Sequence, residues 1–167
     1  MADLTTNINY MMPTGFRVTF SHPDYDNIEY FAQSVAHPSV DVSNAEVSFS
    51  RINLPVAGDK MTHSPLSMTF LMDEDMETFK EIHDWLNRLI CSPQVSAADA
   101  LAAEGKFPTE CDIAVTILTS HNNKNQTIVY HHAFPIALGA VDFNSTQNSG
   151  DYLTFDAQFK FSYFSIK

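Results

Sequence analysis

Basic residues are scarce in this chain: 9 Lys plus Arg stand against 20 Asp plus Glu, a formal net charge of −11 over 167 residues. A surface of that sign repels phosphate, which argues against a binder of duplex nucleic acid. Long apolar runs are also missing. No stretch approaches the roughly 20 residues a helix needs to span a bilayer. Residues 1–12 carry neither the basic nor the apolar region of a secretory signal, so the expectation is a soluble protein assembled in a cytoplasm. The 5 glycines are scattered at 15, 58, 105, 139 and 150. Neither a phosphate-cradling loop nor a Gly-x-Ser-x-Gly elbow can be built from them.

Cysteine is limited to Cys91 and Cys111, at a spacing that matches no zinc or redox motif; two reduced thiols are expected. Asn125-Gln126-Thr127 and Asn144-Ser145-Thr146 match the glycosylation pattern but lack the export signal that would make it meaningful. Of the 7 histidines, His22, His37, His63 and His121 sit beside turn residues, and no pair has a ligand spacing. His131-His132 in a strand should point to opposite faces, and His83 falls on the apolar side of a helix. Asp73-Glu74-Asp75 lacks the 1-3-5 spacing of a calcium loop and reads as a helix cap. No metal, cofactor or catalytic group is expected.

What the chain does have is β-forming sequence. The hydrophobic fraction is 44%, with 13 Phe and 6 Tyr, enough for one globular domain over 1–167. Residues 16–20 alternate, residues 28–35 are rich in β-formers, and His22-Pro23-Asp24 supplies turn chemistry between them, predicting an N-terminal hairpin. Residues 40–52 alternate Val40, Val42, Val47 and Phe49 with polar residues, as in a sheet with one wet face. An apolar but turn-like loop is expected over 51–62, and then a strand with Leu66, Met68, Phe70 and Met72 on one face.

From 76 to 90 the period becomes helical, with Phe79, Ile82, His83, Leu86, Leu89 and Ile90 forming one stripe. Residues 92–110 read as a variable excursion. Strands follow at 112–118, 127–134 and 136–143, the first two as a hairpin around Ser120–Asn125. The last segment is the most regular. Leu153, Phe155, Ala157, Phe159, Phe161 and Tyr163 share one face of a long strand, leaving Phe164 and Ile166 on the polar side. The expected fold is mainly β, an antiparallel sandwich or partial barrel with one flanking α-helix.

The order of these pieces resembles the tail tube proteins of T4-type contractile-tailed bacteriophages. The agreement is densest in Phe16-Arg17-Val18 and the segment after it, in residues 51–86, and from Gly139 to Tyr163. Residues 51–86 join the Asn53-Leu54-Pro55-Val56-Ala57-Gly58-Asp59-Lys60 segment, a strand ending in Met72-Asp73-Glu74, and a helix with Phe79 and Trp85. The resemblance implies a non-enzymatic structural subunit, with a 1–12 arm, whose sheets join across copies into a continuous lumen barrel. Hexameric rings would stack into a tube inside a sheath protein, with baseplate or initiator and terminator proteins at its ends. DNA would pass without specific binding, in the virion tail.

By the same resemblance, Arg51, Asn53, Leu54, Pro55, Val56, Ala57, Gly58, Asp59, Lys60 and Met61 are the candidate contacts between rings. Phe155, Phe159, Phe161 and Tyr163 would form the core strand. Two other readings are weighed: a related tube, either that of a non-viral contractile injection or secretion machine or a baseplate-proximal tube protein, and an enzyme or ligand-binding β-barrel. The second has no catalytic constellation in the sequence to support it.

Overall fold

The computed structural model describes residues 11–21, 28, 31–90, 110–144 and 152–167. Most of the expected 1–12 arm and nearly all of the 92–110 excursion, together with Cys91 and His22, therefore lie outside the described residues. The strands are β1 Phe16–Phe20, β2 Ala32–Ala36, β3 Val40–Phe49, β4 Ile52–His63 and β5 Leu66–Leu71, followed by the helix α1 Glu77–Ile90. Strands β6 Cys111–Leu118, β7 Lys124–Leu138, β8 Thr154–Lys160 and β9 Tyr163–Ile166 complete the order.

Seven strands form one antiparallel sheet in the order β1-β6-β7-β8-β5-β2, with β9 also on β7. The sheet bends around β7. The first part of β7 pairs β6 on one side and β9 on the other, and its last residues pair β8. Among the described residues β1 and β2 are the open ends, and the barrel is not closed.

Period-two alternation sets what this sheet buries. Leu66, Met68 and Phe70 of β5 face Phe159, Ala157 and Phe155 of β8 in register, and all six are buried. Phe155 reaches Phe70 (5.6 Å) and Phe79 of α1 (5.4 Å), while Phe159 reaches Phe20 of β1 (6.0 Å) and Trp85 of α1 (5.9 Å). Each fully buried ring is worth on the order of 1.5–3 kcal/mol before the cost of ordering.

The helix begins where Asp73 accepts hydrogen bonds from the Glu77 amide (3.0 Å) and the Thr78 amide (3.4 Å), satisfying donors that the first turn cannot pair internally. Its buried stripe is rotated from the expected one. Thr78, Ile82 and Trp85 face the core, with Phe79 and Leu89 packed partly against it, and His83 lies exposed on the flank, stacked on Phe79. Trp85, outside the expected stripe, follows Ile82 by three residues and so shares its face.

Three further expectations are corrected. β1 and β2 do not form a hairpin: β1 pairs β6 and β2 pairs β5, because long-range partners offer each strand a matching apolar face. The segments 127–134 and 136–143 are not two strands. β7 runs unbroken through Pro135, whose missing N–H falls beyond the last pairing with β6 at Ala133, and the chain from 139 to 144 is not strand.

The long C-terminal strand breaks at Phe161–Ser162, although Phe134 pairs Lys160 and His131 pairs Tyr163 in one register. The alternation slips by one at Ser162. Phe161 stays buried, Phe164 turns to the core beside Tyr130, and Tyr163 is left 53% exposed. A matching slip occurs on β7, where His132 has a φ of 54° and buried Tyr130 is followed by buried Ala133 three residues on.

Candidate assembly surface

β3 and β4 pair only with each other and form a two-stranded ribbon apart from the main sheet. The segment 51–62 is therefore not a loop. Its backbone pairs from Ile52 opposite Phe49 down to His63 opposite Val40, which explains how so apolar a stretch satisfies its amides outside a core. The turn is tight, at Ser50 and Arg51.

The register divides the outer ribbon into two unlike faces. The pairs Ala45–Val56, Val47–Leu54 and Phe49–Ile52 lie on one face; Asn44–Ala57, Glu46–Pro55 and Ser48–Asn53 lie on the other. The second face is tied together by Ser48 Oγ donating to Asn53 Oδ1 (3.0 Å) and Asn53 Nδ2 donating to Glu46 Oε2 (3.2 Å). The first face is apolar throughout, and its large side chains remain open: Val47, Phe49, Ile52, Leu54 and Val56 are all exposed. A contiguous apolar face of this kind, outside any core, marks an interaction surface.

Nearer the domain the register shifts at Ser43, where Gly58 packs so close that a Cβ would collide with the Ser43 hydroxyl and carbonyl. The Lys60 amide donates to Ser43 Oγ (3.3 Å) there. Met61 then pairs Val42, and Asp59 and Lys60 stand exposed just past the shift. Of the expected contact residues, Leu54 and Val56 are on the apolar face, Asn53, Pro55 and Ala57 on the polar one, Gly58 in the shift and Arg51 at the tip.

The ribbon is rooted in a cluster of rings. His63 packs on Phe161 and Phe164 (both 5.5 Å), and His37, just before β3, packs on Phe164 (5.2 Å) and holds the Tyr130 hydroxyl at 2.7 Å. The Ser64 amide donates to Ser39 O (3.1 Å), and the Ser39 amide to Ser64 Oγ (2.8 Å). This root depends on the slip that turns Phe164 inward, which strict alternation does not forecast.

Elsewhere the fold brings together Asp112, His131 and Ser165. His131 Nδ1 is 2.9 Å from Asp112 Oδ2, and its Nε2 is 3.1 Å from Ser165 Oγ. Asp112 also accepts from the His132 amide (3.1 Å), and His132 Nδ1 meets Glu110 at 3.1 Å. Burial alone would raise the Asp112 pKa, but the His132 amide, the His131 hydrogen bond and the charges of both histidines bring it below the usual carboxylate value. The order acid, imidazole, hydroxyl matches that of a hydrolase, yet Ser165 sits in a strand paired to Val129, and Tyr163 stacks on His131 at 4.6 Å. The trio ties β6, β7 and β9 together. Among the described residues no group of three or more potential ligands could hold a metal ion.

The chain resembles a component of an anti-feeding prophage baseplate, with a TM-score of 0.68 at 12% identity over 95% of this chain and 96% of that one. It also resembles a chain of the PVC extracellular contractile injection system in a sheath/tube terminator structure (TM-score 0.65, 15% identity, 96% and 99% covered). A third likeness is to an Hcp protein (TM-score 0.53, 10% identity, 92% and 98% covered). At such identities these likenesses show the fold. A search of curated proteins finds no match. The family model for phage tail tube protein matches residues 4–167, nearly the whole chain, and the protein belongs to the phage tail tube protein family.

Proposed function

We propose that this chain is the repeating subunit of the inner tube of a contractile phage tail. Identical copies form rings, hexameric by the family resemblance, and the rings stack into a tube through which DNA leaves the particle without specific binding. The apolar ribbon face supports this reading most directly: Val47, Phe49, Ile52, Leu54 and Val56 are ordered on paired strands yet uncovered in a single chain. A second copy can bury them, and Arg51, Asp59 and Lys60 then set register at the margin. The open ends β1 and β2 fit the same reading, since edges left unpaired invite further strands and closure across copies removes them. A rotation that closes makes the ring, and a rise along its axis makes the tube.

The subunit acts by binding and geometry, with no enzymatic step or cofactor. A sheath protein around the tube, a baseplate or initiator below and a terminator above are its further partners. Its place is the virion tail, assembled in the host cytoplasm. The fold likeness to contractile injection systems supports a second reading, in which the tube moves protein instead of DNA.

Electron microscopy of the concentrated protein, alone and with a baseplate or initiator, tests the proposal. Stacked rings are expected; particles that remain single under all of these conditions reject it. Nuclease-protected DNA inside tubes from native particles separates the phage reading from the second one.

A further inference from the structure

Between the two open ends of the sheet lies a cleft of about 480 Å³, lined by Pro13, Thr14 and β1 residues on one side and by Ala32–Val35 of β2 on the other. Its walls offer main-chain groups. Gly15 O accepts from the Leu118 amide (2.8 Å) and the Ser21 amide donates to Asp112 O (3.0 Å), so odd-numbered residues of β1 turn their backbone to β6. Phe16 and Val18 then turn theirs to the cleft. On β2, Phe31 O accepts from the Leu71 amide (2.8 Å), which leaves the Ala32 backbone facing outward. Among the described lining residues Arg17 is the charged one; it is exposed and makes no ion pair among the described residues.

We infer that this cleft is the seat for β3 of a second copy of the chain. This rests on the tube reading and specifies one contact within it. Among the described residues β3 pairs β4 along one edge and has no partner on the other over its ten residues, and an added strand takes up the donors and acceptors of an open sheet end. The charges match as well. Asp41 and Glu46 are the charged residues of β3, both acidic, and they meet a cleft whose described lining carries the Arg17 guanidinium. Seated there, the ribbon lays Val47 and Phe49 near the half-buried Phe16 and Val35 of the acceptor. The contact is heterologous, so it can repeat from copy to copy.

The test is a photo-crosslink read by mass spectrometry. Ser34→p-benzoylphenylalanine is placed in tagged chains, which are co-assembled with isotope-labelled chains, and the tubes are irradiated after microscopy has shown them. An adduct between position 34 and a labelled peptide spanning 40–49 is the expected result. Well-formed tubes whose adducts fall on any other segment, residues 1–10 included, or that give none, overturn the seat and leave the tube reading standing. Absence of any tube overturns both.

A charge reversal supplies the second arm. Arg17→Glu should raise the concentration needed for half-maximal polymerisation about tenfold, and adding Glu46→Arg should restore it. Circular dichroism of the unassembled variants is expected to match the parent. A double variant no better than the single one overturns the pairing.

Discussion

Phe49 and Ile52 stand opposite one another at the tip of the β3–β4 ribbon, 62% and 66% exposed. Because neither side chain supports the core, Phe49→Ser with Ile52→Thr should shift folding stability by no more than about 0.5 kcal/mol. Tube formation should nevertheless be lost. Parent-like melting together with disappearance of stacked rings in micrographs is the expected pair of results; normal tubes from this variant would remove the ribbon tip from the assembly surface.

The helix offers a contrast between neighbours. Trp85 is 1% exposed and packs on Phe159. Trp85→Ala should cost about 3–5 kcal/mol in urea unfolding, through lost burial and the cavity left behind. His83→Ala, two residues earlier on the exposed flank, should cost less than about 0.5 kcal/mol. Comparable losses at the two positions would contradict the rotated stripe.

Asp73 caps α1 through the Glu77 and Thr78 amides. Asp73→Ala should destabilise by about 0.5–2 kcal/mol, and Asp73→Asn, which keeps the acceptor oxygen, by less. Equal effects from the two substitutions would assign the stabilisation to charge instead of to the hydrogen bonds.

Acid should loosen the tie between β6, β7 and β9. The folded Asp112 pKa lies below that of an unfolded carboxylate, roughly 3.9. The stability it contributes is therefore complete above that value and is lost as pH falls through it toward the lower folded one. Asp112→Asn should flatten this part of the acid-unfolding profile, and an unchanged profile would show that the carboxylate contributes nothing.

The neighbouring Cys111 thiol is pushed up to about 12, by burial first and by the Asp112 charge second. Alkylation at pH 8 should therefore modify Cys111 slowly in the folded protein and rapidly in urea, as peptide mapping would read. Fast modification of the folded chain would mean that the site opens readily.

Much of the core was legible residue by residue. Leu66, Met68 and Phe70, and Phe155, Ala157 and Phe159, declare their faces because a strand repeats every two residues whatever lies opposite. The capping role of Asp73 was legible for a similar reason, since a short acidic side chain before a helical period has a local job. Tyr163 and His83 went astray where a local rule met a tertiary event. One slip at Ser162 exchanged Tyr163 for Phe164, and the contact of Phe79 and Trp85 with Phe155 and Phe159 of β8 turned Trp85 inward and left His83 on the flank. The ribbon was misread as a loop because Pro55 and Gly58 carry turn signals. Pro55 is tolerated in a two-stranded ribbon that has no further neighbour, and Gly58 marks the register shift at Ser43.

The sequence by itself determined the β character, the amphipathic helix beginning near residue 76, the acidic balance, and the absence of any recognised catalytic or ligand spacing. Each is a property of composition or of a short repeat, and so needs no knowledge of distant residues. Only the tertiary structure decided that β1 pairs β6 and β2 pairs β5, that the sheet stays open at those two strands, and that an apolar face stands uncovered on the ribbon. Pairing and exposure depend on what comes to lie beside and over a residue, and among the described residues nothing covers the face that carries Val47, Phe49, Ile52, Leu54 and Val56.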